Sequence, residues 1–286
     1  MIDETADQIR EMQTHSSSVV AIKAAEALRE LCDREFASRE EFRRSLKRNS
    51  NALRRAQPSH ASLYTTQTEI VDRIAATSAD TVADLQTELA AAIDDVIEAV
   101  ETAKAAAAAN AAEFLEDGST ILTHDYSSTV LEAIEAAAAN GAHLDVYVTE
   151  ARPRYIGRKA ARALSAIDRV EATLIVDGAA GHYLDDCDRV VVGMDCIVDG
   201  TLYNRVGTFP IAATAAEVAV PVTVVGAESK RIDGGFVFEN DFRSPSEVIR
   251  EPAEGFAVGN PAYDATPTHL IETVVTDAGI SKPTPR

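Results

Sequence analysis

Glycine is missing from the first 117 residues of this 286-residue chain, and Pro58 is the only proline there. Without either punctuator, and with apolar residues recurring at three- and four-residue spacing, the segment is expected to be helical. In "SSSVVAIKAAEALRELCDREF", Val20, Ala24, Leu28 and Cys32 fall on one stripe, with Ser17 or Ser18 as N-cap. A second helix is expected over 39–56. After the break "QPSHASLYTT", a long one is expected from about 66 to 116, interrupted near Ser78.

Other absences narrow the function. Three cysteines, Cys32, Cys187 and Cys196, are too few and scattered for a disulfide framework or a metal site. No apolar run reaches the roughly 18–20 residues that cross a bilayer. The N-terminus is charged from residue 3, unlike a signal peptide, so a cytoplasmic protein without a membrane partner is expected. No G-x-G-x-x-G, G-x-x-x-x-G-K-[ST] or G-x-S-x-G motif occurs, which argues against dinucleotide, P-loop and hydrolase chemistry. No cofactor is expected.

Lysine is scarce, with 6 among 27 cations, against 46 carboxylates and a net charge of −19. That balance predicts adaptation to high salt, where the Debye length falls to about 3 Å. It also argues against direct nucleic-acid binding, which needs a basic face.

From "DGST" (117–120) the pattern changes, and two domains are expected, a helical 1–117 and an α/β 118–286. Strands are read at 120–124, 144–150, 171–177, 189–195 and 221–227, alternating with helices at 127–140, 155–168, 178–185 and 208–219. Near-continuous apolar strands separated by helices predict a mainly parallel, doubly wound, Rossmann-like sheet. Ligands then bind at the strand exits. These carry His124-Asp125, Glu150 to Arg152, Asp177-Gly178, Gly193 to Asp195 and Gly226 to Ser229.

Three constellations stand out. "GMDCIVDGTLYNRVGTFPIA" (193–212) sends Asp195 out of a strand and opens a helix at Gly207-Thr208, where free N–H groups offer an anion site that Arg205 supplements, with an ordinary N-cap by Thr208 as the equal alternative. "VTEARPRYIGRKAAR" (148–162) offers Arg152 to a phosphate, with Arg154, Arg158 and Arg162 on a stripe expected to pair with surface carboxylates. Asp125 and Asp195 leave two strands of one sheet and can divide acid and base roles, although Asp125 is also expected to cap the following helix.

"ILTHDYSSTVLEAIEAA", "VTEARP", "GMDCIVDGTLYNRVGTFPIAATAAEVAVPVTVVGAESK" and "NPAYDATPTHLIETVVTDAGI" together resemble the initiation factor 2B alpha/beta/delta subunit family. That family also holds methylthioribose-1-phosphate and ribose-1,5-bisphosphate isomerases. The resemblance implies an N-terminal helical domain on a Rossmann-like domain and a homodimer or larger homo-oligomer. It implies a phosphorylated small molecule as ligand and translation initiation factor 2 as a candidate partner. The isomerases resemble "THC" at the first strand exit, where this chain has Asp125. Their N-terminal Arg-Gly phosphate clamp matches "MQTHSSSVVA" (12–21), which lacks both residues, and the lysine of "NK-x-GT" is Arg205 here. These departures favour a non-catalytic subunit-like protein binding a phosphorylated sugar or nucleoside monophosphate through His124, Arg152, Asn204, Arg205, Gly207, Thr208 and Lys230. The alternative is an aldose–ketose isomerase with Asp125 in the cysteine's role and Asp195 beside the sugar oxygens.

Overall fold

The computed structural model describes residues 2–11, 17–232, 234–251 and 254–283. The chain divides into two compact units, Met1–Thr102 and Ala103–Arg286. In the first, helices α1 (Ile2–Glu11), α2 (Ser17–Ala27), α3 (Arg39–Ala56), α4 (Ala61–Ala76) and the first part of α5 (Val82–Ala112) bury one apolar cluster. Ile9, Leu28, Phe42, Leu53, Ile70 and Leu89 are fully buried in it. Ser38 caps α3 by accepting the Glu41 N–H, while Glu41 takes the Ala37 N–H, a reciprocal lock on the helix start. Ser17 and Ser18 lie inside α2 instead of capping it, and residues 12–16 of the expected clamp segment lie outside the described residues. The expected break near Ser78 falls between α4 and α5, but α4 begins at Ala61, five residues before the expected start.

The second unit is built on a seven-stranded sheet in the order β11-β10-β7-β4-β1-β2-β3. Its strands are β1 (Ser119–Thr123), β2 (Leu144–Thr149), β3 (Val170–Ile175), β4 (Arg189–Gly193), β7 (Val222–Val225), β10 (Thr273–Thr276) and β11 (Gly279–Ser281). All pairings are parallel except β10 with β11. Successive strand residues face opposite sides. Ile121, Val191, Val225 and Val275 join one core, and Leu122, Val190, Val192, Val224 and Val274 join the other. Both faces are thus covered, as the continuous apolar strands demand. Helix α6 (Ser128–Ala139) and α7 (Gly157–Leu164) contribute to the first core, and α8 (Ala180–Tyr183) and α9 (Thr208–Glu217) to the second. Ala108, Ala111 and Ala112 explain the alanine-rich end of α5, where small side chains pack into the first core.

A second sheet, in the order β8-β5-β6-β9, was not legible in the sequence. It consists of β5 (Cys196–Val198), β6 (Thr201–Arg205), β8 (Arg231–Ile232) and β9 (Tyr263–Pro267). Residues 196–205 form a hairpin whose two-residue turn, Asp199 and Gly200, takes positive φ at both positions.

Candidate functional site

Chain order runs from β1 outward to β2 and β3, then returns to β4 on the other side of β1. This reversal opens a crevice at the carboxyl ends of β1 and β4. His124-Asp125 follow β1 and Met194-Asp195 follow β4, so both candidate carboxylates stand at the switch point. Both residues are buried.

The Arg205 guanidinium, at the end of β6, joins them. Its Nε lies 3.4 Å from Asp125 Oδ2 and 4.0 Å from Asp195 Oδ2. The Tyr263 ring centroid is 4.8 Å from its Cζ. Burial opposes its charge, yet Tyr263, Asp195, Asp125 and Asp241 outweigh this and hold its pKa above the ordinary arginine value.

Asp125 does not cap α6. Ser127 does, accepting the Val130 N–H at 3.3 Å. Asp125 instead adopts φ +65°, a left-handed conformation that an aspartate tolerates better than most residues. Its carboxylate is thereby left to the crevice and Arg205.

Several expected ligand groups are spent on the protein itself. His124 is 1% exposed, with Nδ1 2.6 Å from Thr149 Oγ1 and Nε2 2.8 Å from the Val206 carbonyl. A carbonyl only accepts, so Nε2 carries a hydrogen there. The ring ties the exits of β1 and β2 to the turn before α9. It is not presented to a ligand as a hydroxyl contact. Asn204 donates to Thr208 Oγ1 at 3.1 Å, and Thr208 donates to the Arg205 carbonyl at 2.7 Å.

At Gly207-Thr208, where an anion site was expected, the free donors meet a carboxylate of the protein itself. Asp264 Oδ2 accepts the Gly207 N–H at 2.7 Å and the Phe209 N–H at 3.0 Å. A carboxylate satisfies the same free donors and positive helix end that a phosphate would. Asp264 sits on β9 opposite Asn204, in a pairing the sequence pattern did not reveal.

Lys230 is buried, and its Nζ donates to the Met194 carbonyl at 2.9 Å, one residue before Asp195. Burial pushes its pKa below the ordinary lysine value, opposed by the Asp195 carboxylate. Cys196 stands beside Asp195, but burial drives its thiol far above the ordinary range, so it offers no nucleophile. Burial likewise raises Cys187 to about 11.

The residues that line the adjoining cavity include Asp125, Arg152, Arg154, Arg205, Arg243 and Asn260, around about 310 Å³ of solvent-open space. Arg152 donates to the Tyr155 hydroxyl and, at 3.3 Å, to the Val248 carbonyl. Arg154 Nε pairs with Glu247 at 3.0 Å and Arg243 Nε with Asp241 at 3.3 Å. Arg158 pairs with Glu150 at 2.9 Å, whereas Arg162 turns to the Arg158 carbonyl and finds no carboxylate among the described residues. Burial, then the nearby Arg205 and Arg154 charges, pushes the Arg243 pKa down. The sequence reading gave Arg154 to surface pairing and passed over Arg243, because no periodicity links residue 243 to strand exits at 125 and 205. Among the described residues no cluster has the makings of a metal site, and no helix is long and apolar enough to cross a membrane.

Fold and site together define a Rossmann-like α/β protein with a charged strand-exit crevice. The model of the Initiation factor 2 subunit family matches residues 13–283, and the chain belongs to that family. It is 33% identical to ribose 1,5-bisphosphate isomerase of Haloterrigena turkmenica, over 96% of this chain and 88% of that one. It is 32% identical to the enzyme of the same name from Haloferax volcanii, over 97% and 88%. The translation initiation factor eIF-2B structure from Pyrococcus horikoshii OT3 superposes with a TM-score of 0.83 at 25% identity, covering 99% of this chain and 97% of that one.

These relatives correct the expectation of a non-catalytic binder. Six archaeal proteins, 30–33% identical over nearly the whole chain, carry the name ribose 1,5-bisphosphate isomerase. The reading against an enzyme gave too much weight to one missing cysteine and to a short N-terminal motif.

Proposed function

We propose that this chain is a sugar-phosphate aldose–ketose isomerase acting on ribose 1,5-bisphosphate. The observation that carries the reading is the pair of strand-exit carboxylates, Asp125 and Asp195, held against one guanidinium, Arg205, beside an arginine-lined cavity. The names of the archaeal relatives support the substrate.

The reaction breaks the C1–O4 bond of the ring, removes the hydrogen from C2 and places one on C1. The ring oxygen gains a proton and O2 gives one up. A carboxylate can take and return the proton at carbon, and Asp125, in the position of the isomerases' cysteine, is assigned that role. Asp195 is assigned to the sugar oxygens. Arg205 lies between them and is already charged, so it stabilises negative charge developing on O2 without reorganisation. The arginines of the cavity wall meet the phosphates, for which planar guanidinium groups are suited. Assembly as a homo-oligomer, a cytoplasmic setting and adaptation to concentrated salt belong to the same reading. The halophilic sources of two relatives and the excess of carboxylates support the salt adaptation.

The test is nuclear magnetic resonance of the purified chain with ribose 1,5-bisphosphate in concentrated KCl. The expected outcome is the ketose bisphosphate appearing with the wild type. In Asp125→Asn its rate drops by about 10²–10⁴-fold, the usual worth of a positioned acid or base. Asparagine tolerates the left-handed backbone at 125, so the change removes the proton carrier and keeps the turn. Absence of ketose with the folded wild type, or an undiminished rate in Asp125→Asn, would overturn the assignment.

A further inference from the structure

The strongest local charge anomaly lies away from the crevice, on α3. In a chain of net charge −19, this helix carries seven arginines and lysines against two glutamates. Three of its cations have structural duties. Arg39 donates to the Ala79 carbonyl and Arg43 to the Thr77 carbonyl, both at 2.9 Å, closing the chain exit from α4. Arg54 lies over the Tyr64 ring, 4.1 Å from its centroid. The other four, Arg44, Lys47, Arg48 and Arg55, are exposed and have no ion-pair partner among the described residues. At 100° per residue, Arg44, Arg48 and Arg55 point within about 40° of each other, with Lys47 flanking, along about 16 Å of helix. At one end of this face Arg34 joins Arg44 and Arg48 around an open hollow of about 740 Å³ that also includes Phe36 and Ser45. Glu35 and Glu41 border the hollow, but Glu41 is committed to the N–H of Ala37.

We infer that this face of α3 is a docking surface for an acidic polypeptide segment of a partner protein. Leaving four like charges side by side on an exposed helix is unfavourable until an anion meets them. Charge complementarity therefore selects an anionic partner. The length of the stripe selects a short one. A nucleic acid runs beyond 16 Å and its further phosphates would meet the acidic remainder of the molecule at contact distance, where carboxylates outnumber cations. An acidic peptide of a few residues feels only the local patch.

The test uses the full chain and fluorescence anisotropy with a short labelled polyglutamate peptide, beside a single-stranded oligonucleotide of matched length. The peptide is expected to bind, and more weakly as KCl rises. The double substitution Arg44→Glu with Arg48→Glu is expected to weaken it about tenfold or more. Arg250→Glu with Lys282→Glu changes net charge equally at exposed residues of the second unit that are no part of the patch, and is expected to weaken it less than threefold. Arg44→Gln with Arg48→Gln gives a milder variant should the reversal disturb folding, which circular dichroism monitors. Three results would overturn the inference. They are no peptide binding, equal loss in both charge-reversal pairs, and tighter binding of the oligonucleotide than of the peptide.

Discussion

Gly207 is the residue on which the crevice turns. Its φ of +110° is one that side chains avoid, and a Cβ there would stand 2.6 Å from His124 Cε1 and 2.7 Å from Nε2. The imidazole cannot retreat without giving up Thr149 or the Val206 carbonyl. Gly207→Ala therefore combines backbone strain with overpacking, and about 2–4 kcal/mol of destabilisation is expected. Denaturant unfolding in concentrated KCl reads this as a lowered midpoint with unchanged slope. A midpoint equal to the wild type would show that the histidine yields freely. Asp125 illustrates the limits of single-residue reading. An aspartate before "YSS" at a strand exit looks like a helix cap, and only the left-handed backbone and the nearer Ser127 reveal that its carboxylate is free for Arg205.

At the scale of elements, what the sequence disclosed and what it hid divide along contact order. Five of the six strands in parallel pairings of the seven-stranded sheet were read from their apolar runs, which need no partner to be recognised, while β10 (Thr273–Thr276) was missed. Breaks at Pro58 and near Ser78 were equally local. The second sheet was hidden, since β5, β6, β8 and β9 are two to five residues long and β9 pairs with β6 across nearly sixty residues of chain. That hidden pairing is what places Asp264 on the start of α9 and Tyr263 beside Arg205, so the half of the site built by β9 was beyond local pattern. The internal carboxylate that meets the start of α9 was not foreseen. Removing that carboxylate has a measurable cost. Asp264 accepts two N–H groups and opposes the helix dipole, so Asp264→Ala is expected to lose about 1–2 kcal/mol. Thermal unfolding checks it. A loss near zero would mean that solvent or ions serve those donors equally well.

Across the whole molecule, two charge distributions respond to salt in opposite directions. The chain carries 46 carboxylates against 27 cations, most of them exposed, and their net repulsion burdens the folded state. At about 0.01 M salt the Debye length is about 30 Å, so most of these charges feel one another, whereas at 1 M it is about 3 Å and few do. The melting temperature is therefore expected to rise with KCl, steeply at first and then level off once screening is shorter than the spacing between surface charges. In the proposed function the cavity arginines follow the other rule, because the same screening would weaken their attraction for a doubly phosphorylated substrate. If the proposed function holds, KM for ribose 1,5-bisphosphate is expected to climb across the range in which stability is still improving, while kcat, assigned in that proposal to Asp125, Asp195 and Arg205 in the buried crevice, changes little. Melting curves and initial rates over one KCl series decide the matter. A melting temperature that is flat or falling would remove repulsion as the governing force. A KM indifferent to salt would mean that the arginine wall does not meet the phosphates.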